Sequence, residues 1–518
     1  MTIFLAAFPI LVVLILMVAL RWGGQRAGPA GWVAGVLVAW LAFGLTPQVL
    51  WVSQLKGLLL SLYVLAIIWP AMALYHVVNQ AGGIRAMADG LGLAMGDRAA
   101  GSDRGLLWIV LAWAFSAVLE GLAGFGLPIA VVGPMLAALG VEPIQAVAAV
   151  AVGHAWSVTF GDMGVIFQTL VAVVRMDGSL LGPAAAGILA VVCLACGLAA
   201  AFILKQAHRW REVAGLALLM GAVQYALVVI GLTPLAGLGA GLSGVLGAIL
   251  IARLAHPPRE GASAGSPRPA GARPLGIALA CYGLVAFIMT LAALPGPIHA
   301  RLVALTWQAS FPAVTTLTAF TTPAGGGQAF HPWVHPGTWL LVVAVLAAVW
   351  LTWSRDLPGN AWRLAAQSTW RSAAPASVGI ISMVGLSVLM DHSGMTQLLA
   401  QTLSRWMGAA FPLVSPLVGV LGAFATGSNN NSNVLFGQLQ KQVAALLGIA
   451  PALLIATQTA GGAIGSMLAP AKIIVGCSTT GLKGRDGEVM RLTVPYGLGI
   501  GLGLGVVALV LSLLPAVK

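Results

Sequence analysis

The sequence predicts an all-α polytopic membrane protein, with roughly 12–14 transmembrane helices by the length of its apolar runs. Of its 518 residues, 59% are hydrophobic and only 7% are charged, and the mean hydropathy is +0.98. Soluble domains carry about 25% charged residues, so this composition indicates a chain that lies mostly in hydrocarbon. Motifs shared by the two halves further predict two inverted repeats, each with re-entrant or broken helices.

Apolar runs that approach the roughly 20 residues of a spanning helix recur along the chain. The first run has neither a positively charged start nor a small-residue cleavage site, so we expect a retained span rather than a signal peptide. Polar stretches at 121–175 and 427–482 interrupt the pattern and are predicted to be re-entrant or broken segments. The apolar runs lie near 2–20, 29–45, 56–77, 105–120, 180–204, 213–231, 235–254, 274–293, 338–353, 374–391, 411–426 and 493–515.

Basic residues predict the topology. The formal charge of +12 comes from Lys and Arg clustered between apolar runs, so it indicates orientation in a membrane and not a nucleic-acid partner. With these clusters in the cytoplasm, the N-terminus lies outside and segment 294–337 is external. The run 374–391 then crosses in the opposite direction to the span ending near Val77. The clusters are Arg21 and Arg26; Arg85, Arg98 and Arg104; Lys205, Arg209 and Arg211; Arg253, Arg259, Arg268 and Arg273; Arg355, Arg363 and Arg371; and Lys483, Arg485 and Arg491.

A Pro-, Gly- and Ser-rich linker at 255–275 separates an N-terminal half, 1–254, from a C-terminal half, 276–518. We expect this linker to be a flexible cytoplasmic joint. Each half contains one repeat core, with site segments at 119–165 and 425–482. The matched positions are Leu139-Gly140-Val141-x-Pro143 with Leu447-Gly448-Ile449-x-Pro451, and Gly82, Leu91, Met95 and Gly96 with Gly394, Leu403, Met407 and Gly408.

The two site segments are predicted to form a substrate site. Asparagine clusters and paired glycines are poor helix formers, so we expect non-helical backbone lining a wet cavity. Half-helix starts can bind a carboxylate, and the amide oxygens offer sodium ligands as an alternative; Ser and Asn as packing glue is the structural alternative. The predicted substrate-binding residues are Gly124, Phe125, Gly126, Ser428, Asn429, Asn430, Asn431, Ser432, Asn433, Gln458, Thr459, Gly461, Gly462 and Lys472.

Charged groups within the membrane are costly and usually functional. Glu120 is a candidate proton carrier, or else it accepts hydrogen bonds from N–H groups at a helix break. Asp162 and Lys472 lie near matching ends of the repeats, and either they pair or Lys472 attracts an anionic substrate. His154 is a candidate proton relay, with a satisfied core histidine as the alternative. The predicted proton-coupling residues are therefore Glu120, His154 and Asp162.

Other functions find less support. No GxxxxGK[ST] motif or Ser-His-Asp spacing is present, so we expect neither ATP-driven transport nor an enzyme, and no cofactor. Cys193 and Cys196 have no accompanying second pair, so we expect no zinc site and read Cys193, Cys196, Cys281 and Cys477 as reduced core residues. His331 and His335 flank prolines in an outer segment, which favours an ordinary loop over a metal site.

Long motifs in both halves resemble the bacterial L-lactate permease family in order and spacing. They are Glu120-Gly-Leu-Ala-Gly-Phe-Gly126 with Pro128, Ala425-Thr-Gly-Ser428 leading to Asn433, Gly461-Gly462, and Ala469-Pro470 with Cys477-Ser-Thr-Thr-Gly481. The resemblance implies inner-membrane, proton-coupled uptake of lactate, glycolate and related 2-hydroxy monocarboxylates. It also implies membership of the wider ion-transporter superfamily, whose scaffold and moving transport parts suggest an elevator-type motion.

The chain departs from that family at charged positions. The family commonly has Asp at Asn429, Lys at Ser466 and a neutral residue at Lys472. It commonly has Asn or another polar residue near His154, and a small neutral residue near Asp162. Charge is therefore redistributed, which leaves two transporter hypotheses: an importer of L-lactate or a related 2-hydroxy monocarboxylate by proton symport, or a carrier of another small carboxylate or sulfonate, with sodium as the alternative coupling ion. An anion channel or membrane enzyme is disfavoured, because a channel needs no inverted repeats and no nucleophile or metal cluster is evident.

Overall fold

The computed structural model describes residues 2–20, 22–84, 86–87, 90, 104–122, 124, 126–255, 272–293, 297–354, 360–482 and 484–514. Within these ranges, 11 helices are long and apolar enough to cross a membrane, or up to 12 if a pair bent by 42° between Leu468 and Pro470 is one span. This confirms the predicted all-α polytopic class. Four cysteines are free and buried, as expected of reduced core residues.

In the first half, most helices are continuous and apolar, but the chain is interrupted repeatedly between residues 111 and 165. The helices are α1 (Thr2–Val18), α2 (Gly24–Ala42), α3 (Pro47–Gln80), α4 (Gly105–Val110), α5 (Ser116–Leu122), α6 (Leu127–Ala138), α7 (Pro143–Gly153), α8 (Val165–Val174), α9 (Gly178–Ile203), α10 (Trp210–Val229) and α11 (Ala236–Ala255), with a π-helical turn at Leu111–Phe115 and 3-10 turns at Ala155–Phe160, Asp162–Gly164, Ala207–Arg209 and Thr233–Leu235.

In the second half, four two-residue strands form a small cap between helices. The elements are α12 (Ala272–Ala293), α13 (Pro297–Ala304), β1 (Ser310–Phe311), β2 (Val314–Thr315), β3 (Thr321–Thr322), β4 (Gly325–Gly326), α14 (Pro336–Trp353), α15 (Ala361–His392), α16 (Met395–Met407), α17 (Phe411–Thr426), α18 (Asn429–Leu447), α19 (Pro451–Leu468), α20 (Pro470–Thr479) and α21 (Asp486–Ser512), with a 3-10 turn at Gly408–Ala410. Strand β1 pairs with β4, and β2 with β3, both antiparallel.

Local chemistry explains where many helices begin. Proline stands at the first position of α3, α7, α14, α19 and α20, where its missing N–H costs no hydrogen bond. Ser428 caps α18 by accepting from the Asn431 N–H at 3.4 Å. With the Asn431 N–H satisfied by that cap, α18 runs straight through the asparagine cluster. The prediction of non-helical backbone there was wrong, and it was also wrong for Gly461-Gly462, which lies inside α19.

The helices pack as two groups that meet along one interface. The support group contains α2, α3, α14 and α15, with α1 and α12 at its edge. The site group contains α5–α11 and α17–α21, and α17 packs extensively on α19 within it. Contacts between α3 and α8 and between α15 and α18 join the two groups, so polar side chains from different groups can converge there.

The two predicted repeat cores have the same order of elements. In each, a helix ends, the chain breaks, a second helix follows, a left-handed glycine turns the chain (Gly140 or Gly448), and a third helix starts at a proline. The long helices α3 and α15 likewise each end two residues before a left-handed glycine, Gly82 and Gly394. The opposite orientation of the cores stays a prediction. The residues Leu91, Met95, Gly96 and most of the linker 255–275 lie outside the described residues.

Candidate functional site

A cavity of about 350 Å³ lies where the support and site groups meet. Its walls combine the start of α2 and the middle of α3 and α15 with the broken segments of both repeat cores. The lining residues are Gly23, Gly24, Gln25, Ile68, Glu120, Val158, Asp162, Val165, Ile166, Pro375, Ala376, Gly379, Ile380, Gly427, Ser428, Asn429, Asn430, Asn431 and Lys472. We call this space the central cavity.

The break between α17 and α18 forms one wall of the central cavity. Gly427 takes the left-handed conformation, with φ +71°, which turns the chain so that α18 starts at the cavity. The first N–H groups of a helix have no partner within the helix and carry partial positive charge. Asn430, only 6% exposed, also lines the cavity, and neither polar atom of its side chain has a hydrogen-bond partner among the described residues. This wall therefore offers both donors and a positive dipole end to an anion.

Two carboxyl groups lie on either side of Gly124. The Gly124 N–H donates to Asp162 Oδ1. A Cβ placed on Gly124 would lie 2.7 Å from both Glu120 Oε1 and Asp162 Oδ2, so these two carboxyl groups are close neighbours. Both side chains are buried, and Glu120 Oε2 has no hydrogen-bond partner among the described residues. Two adjacent acids in a buried site repel each other when both are ionised.

Lys472 supplies the cation of the central cavity. It lies in the first turn of α20, two residues after Pro470, where a positive side chain opposes the helix dipole. Its Nζ is 4.0 Å from Met467 Sδ, and it forms no ion pair in the part of the chain that the structure describes. Asp162 and Lys472 thus line one cavity without the direct pairing that was the structural alternative. The ammonium is available to a ligand.

A second cavity, of about 380 Å³, adjoins the first. Asp162 lines both cavities, and Gly124, Gly126 and Leu127 lie on the side of the second. The opposite wall is formed by the C-terminal part of α3 and the N-terminal part of α15. On the predicted topology, both of those helix ends face the cytoplasm. The Asp162 segment therefore separates the central cavity from a vestibule on that side.

His154 lies behind Glu120 and not on the central cavity. Its Nε2 is 3.9 Å from Glu120 Oε2, and both residues are fully buried. Its Nδ1 contacts the Val150 carbonyl, an acceptor, so Nδ1 bears the proton of a neutral ring and Nε2 presents a lone pair toward Glu120. A protonated Glu120 can therefore donate to His154 after a small rotation.

A polar network packs behind the asparagine wall and joins the two repeat cores. Asn429 Nδ2 donates to Thr159 Oγ1 at 3.2 Å and to Thr459 Oγ1 at 3.4 Å, and Asn433 Nδ2 donates to Thr459 Oγ1 at 2.9 Å. The Thr159 and Thr459 hydroxyls are 3.1 Å apart. Because Thr159 belongs to the first core and the others to the second, this contact fixes one core against the other.

Further into the site group, Gln458 extends this network. Its Nε2 donates to Ser432 Oγ at 3.1 Å, and its Oε1 accepts from Gln440 Nε2 at 3.1 Å. Gln440 Oε1 in turn accepts from Ser415 Oγ at 2.9 Å. These buried polar groups satisfy one another, so their role is to hold α17, α18 and α19 together.

The predicted site residues fall into three sets. Glu120, Asp162, Lys472 and Ser428 to Asn431 line the central cavity, while Gly124 and Gly126 line the adjoining one. Phe125 lies outside the described residues. The remaining predicted residues line neither of these two cavities: His154, Ser432, Asn433, Gln458, Thr459, Gly461 and Gly462.

Sequence reasoning missed several residues of the site. Thr159 was missed because its hydroxyl is not distinguished by sequence from that of the nearby Ser157. Gln25, Pro375 and Gly379 were missed because they lie in the support group, outside the repeat cores. The Pro375 and Gly379 pair in a long helix is the one signal that was available, since proline and glycine inside a spanning helix mark close approach or irregular backbone.

Comparisons with known proteins show which family this chain resembles. A family model described as L-lactate permease matches residues 2–515. The glycolate permease GlcA of Escherichia coli (strain K12) is 25% identical over 95% of this chain and 92% of its own length. An L-lactate permease of Bacillus subtilis (strain 168) is 25% identical over 92% of this chain and 90% of its own length. Among solved structures, the Alcanivorax borkumensis YdaH transporter gives a TM-score of 0.44 at 19% identity, covering 86% of this chain and 84% of that one.

Proposed function

Because the chain belongs to the L-lactate permease family, we propose that it is a secondary active transporter that imports L-lactate or a related small 2-hydroxy monocarboxylate by proton symport across the bacterial inner membrane. The named relatives, a glycolate permease and an L-lactate permease, support this substrate class. The two finer parts of the proposal, the substrate and the coupling ion, are supported by the chemistry of the central cavity.

The charge balance of the central cavity is the observation that carries proton symport. The described residues on its wall include two acids, Glu120 and Asp162, and one cation, Lys472. A bound monocarboxylate would bring the acid groups to three against one ammonium, in surroundings where unbalanced charge is expensive. A proton held between Glu120 and Asp162 reduces that excess. Substrate and proton therefore favour each other's binding, which is the thermodynamic requirement for symport.

The wall of the central cavity opposite Glu120 and Asp162 can bind the substrate's carboxylate. The N-terminus of α18 presents donors, as does the Asn430 amide, which has no partner in the described ranges, and Lys472 presents a full positive charge. A 2-hydroxy acid also carries a hydroxyl group, which can both donate and accept. Ser428 and Asn431 on the same wall offer partners of both kinds.

We assign the proton to Glu120, with His154 as its positioning partner. When Glu120 is ionised, its charge is balanced by Lys472 across the central cavity. When it is protonated, its O–H can donate to the lone pair on His154 Nε2, at present 3.9 Å away. Asp162 is held by the Gly124 N–H, a bond that favours the ionised acid, so Asp162 is the less suitable carrier.

Sodium coupling is the second candidate, on a separate observation. The side-chain oxygens of Asn429, Asn430 and Asn433 are buried and have no hydrogen-bond partner among the described residues. Amide oxygens are suitable ligands for a hard cation, and the Thr159 and Thr459 hydroxyls lie beside them. Under this alternative, the protein carries a small organic anion, a carboxylate or a sulfonate, together with sodium.

Uptake into proteoliposomes decides between these candidates. Radiolabelled L-lactate is offered under an imposed inward proton gradient and, separately, an inward sodium gradient. We expect accumulation with the proton gradient alone, and we expect an uncoupler to abolish it. Accumulation that requires sodium would replace the first candidate by the second. No uptake under either gradient would reject lactate, and competition by other carboxylates and sulfonates would then identify the substrate.

A further inference from the structure

The interface between the support and site groups is open at one end and closed at the other. The central cavity lies at the open end. Farther along the interface, helices α3, α8, α15 and α18 enclose a cavity of only about 10 Å³. This cavity can hold no more than one water molecule. This closed end lies beneath the strand cap, whose Phe311 ring covers the Lys56 ammonium at 5.1 Å. On the predicted topology, the closed end faces outward.

Titratable groups from all four helices gather at the closed end. Lys56 Nζ lies 3.2 Å from His392 Nε2, and His392 Nδ1 is 2.9 Å from the Val388 carbonyl. With Nδ1 donating to that carbonyl, Nε2 accepts from Lys56, so the histidine is neutral and leaves the positive charge of Lys56 unbalanced. Lys56 is only 6% exposed. A cation at such a depth with no ion-pair partner among the described residues is a functional-site candidate.

Two further cations lie, like Lys56, near the Asp391 carboxylate. Lys441 Nζ donates to the Val174 carbonyl at 2.6 Å and to the Arg175 carbonyl at 3.3 Å, and the exposed Arg175 side chain follows the end of α8. One acid faces them: Asp391 Oδ1 accepts from Gln442 Nε2 at 3.0 Å. None of the three cations forms an ion pair in the described ranges of the chain. We name Lys56, Arg175, Asp391, His392 and Lys441 the outer cluster.

The outer cluster therefore has three cations and one carboxylate, an excess that no described protein group neutralises. The central cavity does not use any of these residues, and they come from both helix groups. A contact that only held the two groups together would be expected to pair its buried charges directly. Three cations without ion-pair partners among the described residues, with Lys56 buried and Arg175 exposed around one carboxylate, instead suit a site that receives an anion when the groups separate.

We propose that the outer cluster is a second anion site, at which a small monocarboxylate docks from outside before it reaches the central cavity. In the closed conformation described here, the Asp391 carboxylate takes the place of the substrate's carboxylate among the three cations. When the support and site groups move apart, the incoming anion can bind Lys56, Arg175 and Lys441. The inference rests on the proposed function in taking a monocarboxylate as the ligand.

A cysteine in the small cavity tests the proposal without relying on transport. Gln438 lines that cavity, and the four native cysteines are buried. Gln438→Cys is exposed in intact cells to membrane-impermeant thiosulfonate reagents that carry either a sulfonate or a quaternary ammonium. We expect the anionic reagent to react faster than the cationic one, by about tenfold or more, because charged clefts concentrate counter-ions to this degree. External L-lactate should slow the anionic reagent.

Neutralising the cations should remove this preference. Added to Gln438→Cys, Arg175→Gln or Lys441→Gln should bring the two reaction rates together, and Lys441→Arg should restore their difference. Asp391→Asn should increase the preference for the anionic reagent. This effect is opposite to that of the cation variants, a pattern that a structural role does not produce. Arg301→Gln, in exposed α13 on the same predicted side, is the matched control and should change nothing. The preference should also fall at high ionic strength.

Two results would overturn the proposal: no reaction of Gln438→Cys from outside, or a charge preference that Arg175→Gln and Lys441→Gln leave unchanged. Failure of the proposed function looks different. In that case the unsubstituted protein takes up no L-lactate under either ion gradient and L-lactate does not slow the reagent, yet the charge preference still depends on Arg175 and Lys441. Those results would support an anion site at the outer cluster but show that its ligand is not L-lactate.

Discussion

Lys472 is the residue whose charge most directly favours an anionic substrate. It lines the central cavity, opposes the dipole of its own helix and has no acid paired with it in the described chain. We expect Lys472→Ala to raise the apparent KM for uptake by about tenfold or more, since a hydrogen bond to a charged group contributes roughly 1.5–3 kcal/mol. Initial rates over a range of substrate concentrations measure this. Lys205→Ala, on an exposed turn, is the control, and an unchanged KM in Lys472→Ala would remove the assigned role.

Glu120 is the group to which we assign the proton. Glu120→Gln keeps the shape of the side chain but cannot exchange a proton. We expect concentrative uptake to be lost while exchange of labelled for unlabelled substrate persists, because exchange needs no net proton movement. Both are measured in proteoliposomes with Glu142→Gln, an exposed acid at the start of α7, as control. Concentrative uptake that survives in Glu120→Gln would transfer the proton to Asp162.

Asn429 occupies a position at which the related family commonly has an acid. Its amide donates to two threonine hydroxyls, and both hydroxyls can rotate to donate to a carboxylate instead. Asn429→Asp adds a third acid beside the central cavity. Binding of the anion should then require protonation of more of these acids. We expect the uptake optimum to move to lower pH. The pH profile of initial rates checks this against exposed Gln397→Glu on α16, and superimposable profiles would make the replacement neutral.

At the scale of the elements, the contact between α17 and α19 depends on glycine. A Cβ on Gly461 would overlap the Pro416 carbonyl, and a Cβ on Gly465 would overlap the Val420 carbonyl. Small residues let membrane helices approach this closely. We expect Gly461→Ala to lower the melting temperature of the detergent-solubilised protein, as overpacking costs about 1–3 kcal/mol. Gly499→Ala in α21, where a Cβ meets nothing within 4 Å, should leave it unchanged.

Hydropathy predicted which elements exist better than where they end. The helices α3 and α15 have 34 and 32 residues, well beyond the predicted runs 56–77 and 374–391. Their extra turns carry polar residues, which a hydropathy window omits although they are compatible with helix. The asparagine cluster shows the opposite error. Propensity argued against helix, but one serine cap and the packing of α18 on α19 outweighed it.

For the site, too, sequence predicted some features better than others. Charged and amide groups in the repeat cores stood out in an apolar chain, and Glu120, Asp162, Lys472 and Asn430 do line the central cavity. Residues from the support group did not stand out, because a cavity wall made by glycine, proline and isoleucine has the composition of any membrane helix. Sequence also could not separate Asn430, on the wall, from Asn433, three residues later and behind it.

The whole molecule makes a prediction about sidedness. The positive-inside rule places the strand cap outside and the turn after α9 inside. Leu317, 81% exposed in the cap, and Lys205, exposed in that turn, are suitable reporters. In intact cells, we expect an impermeant thiol reagent to label Leu317→Cys and not Lys205→Cys, and permeabilisation should make both reactive. Labelling of Lys205→Cys alone in intact cells would show that the predicted topology is reversed. The outer cluster would then face the cytoplasm.

The contact of Thr159 with Asn429 and Thr459 has a consequence for biosynthesis. The first half of the chain leaves the ribosome and enters the bilayer with Glu120, Asp162 and Thr159 before their neighbours from the second half have been made. Until α18 and α19 arrive, these polar groups must be sheltered by water, lipid headgroups or an insertion chaperone. Cells that make residues 1–254 alone should therefore degrade them rapidly. Simultaneous synthesis of 276–518 as a separate polypeptide should rescue both fragments.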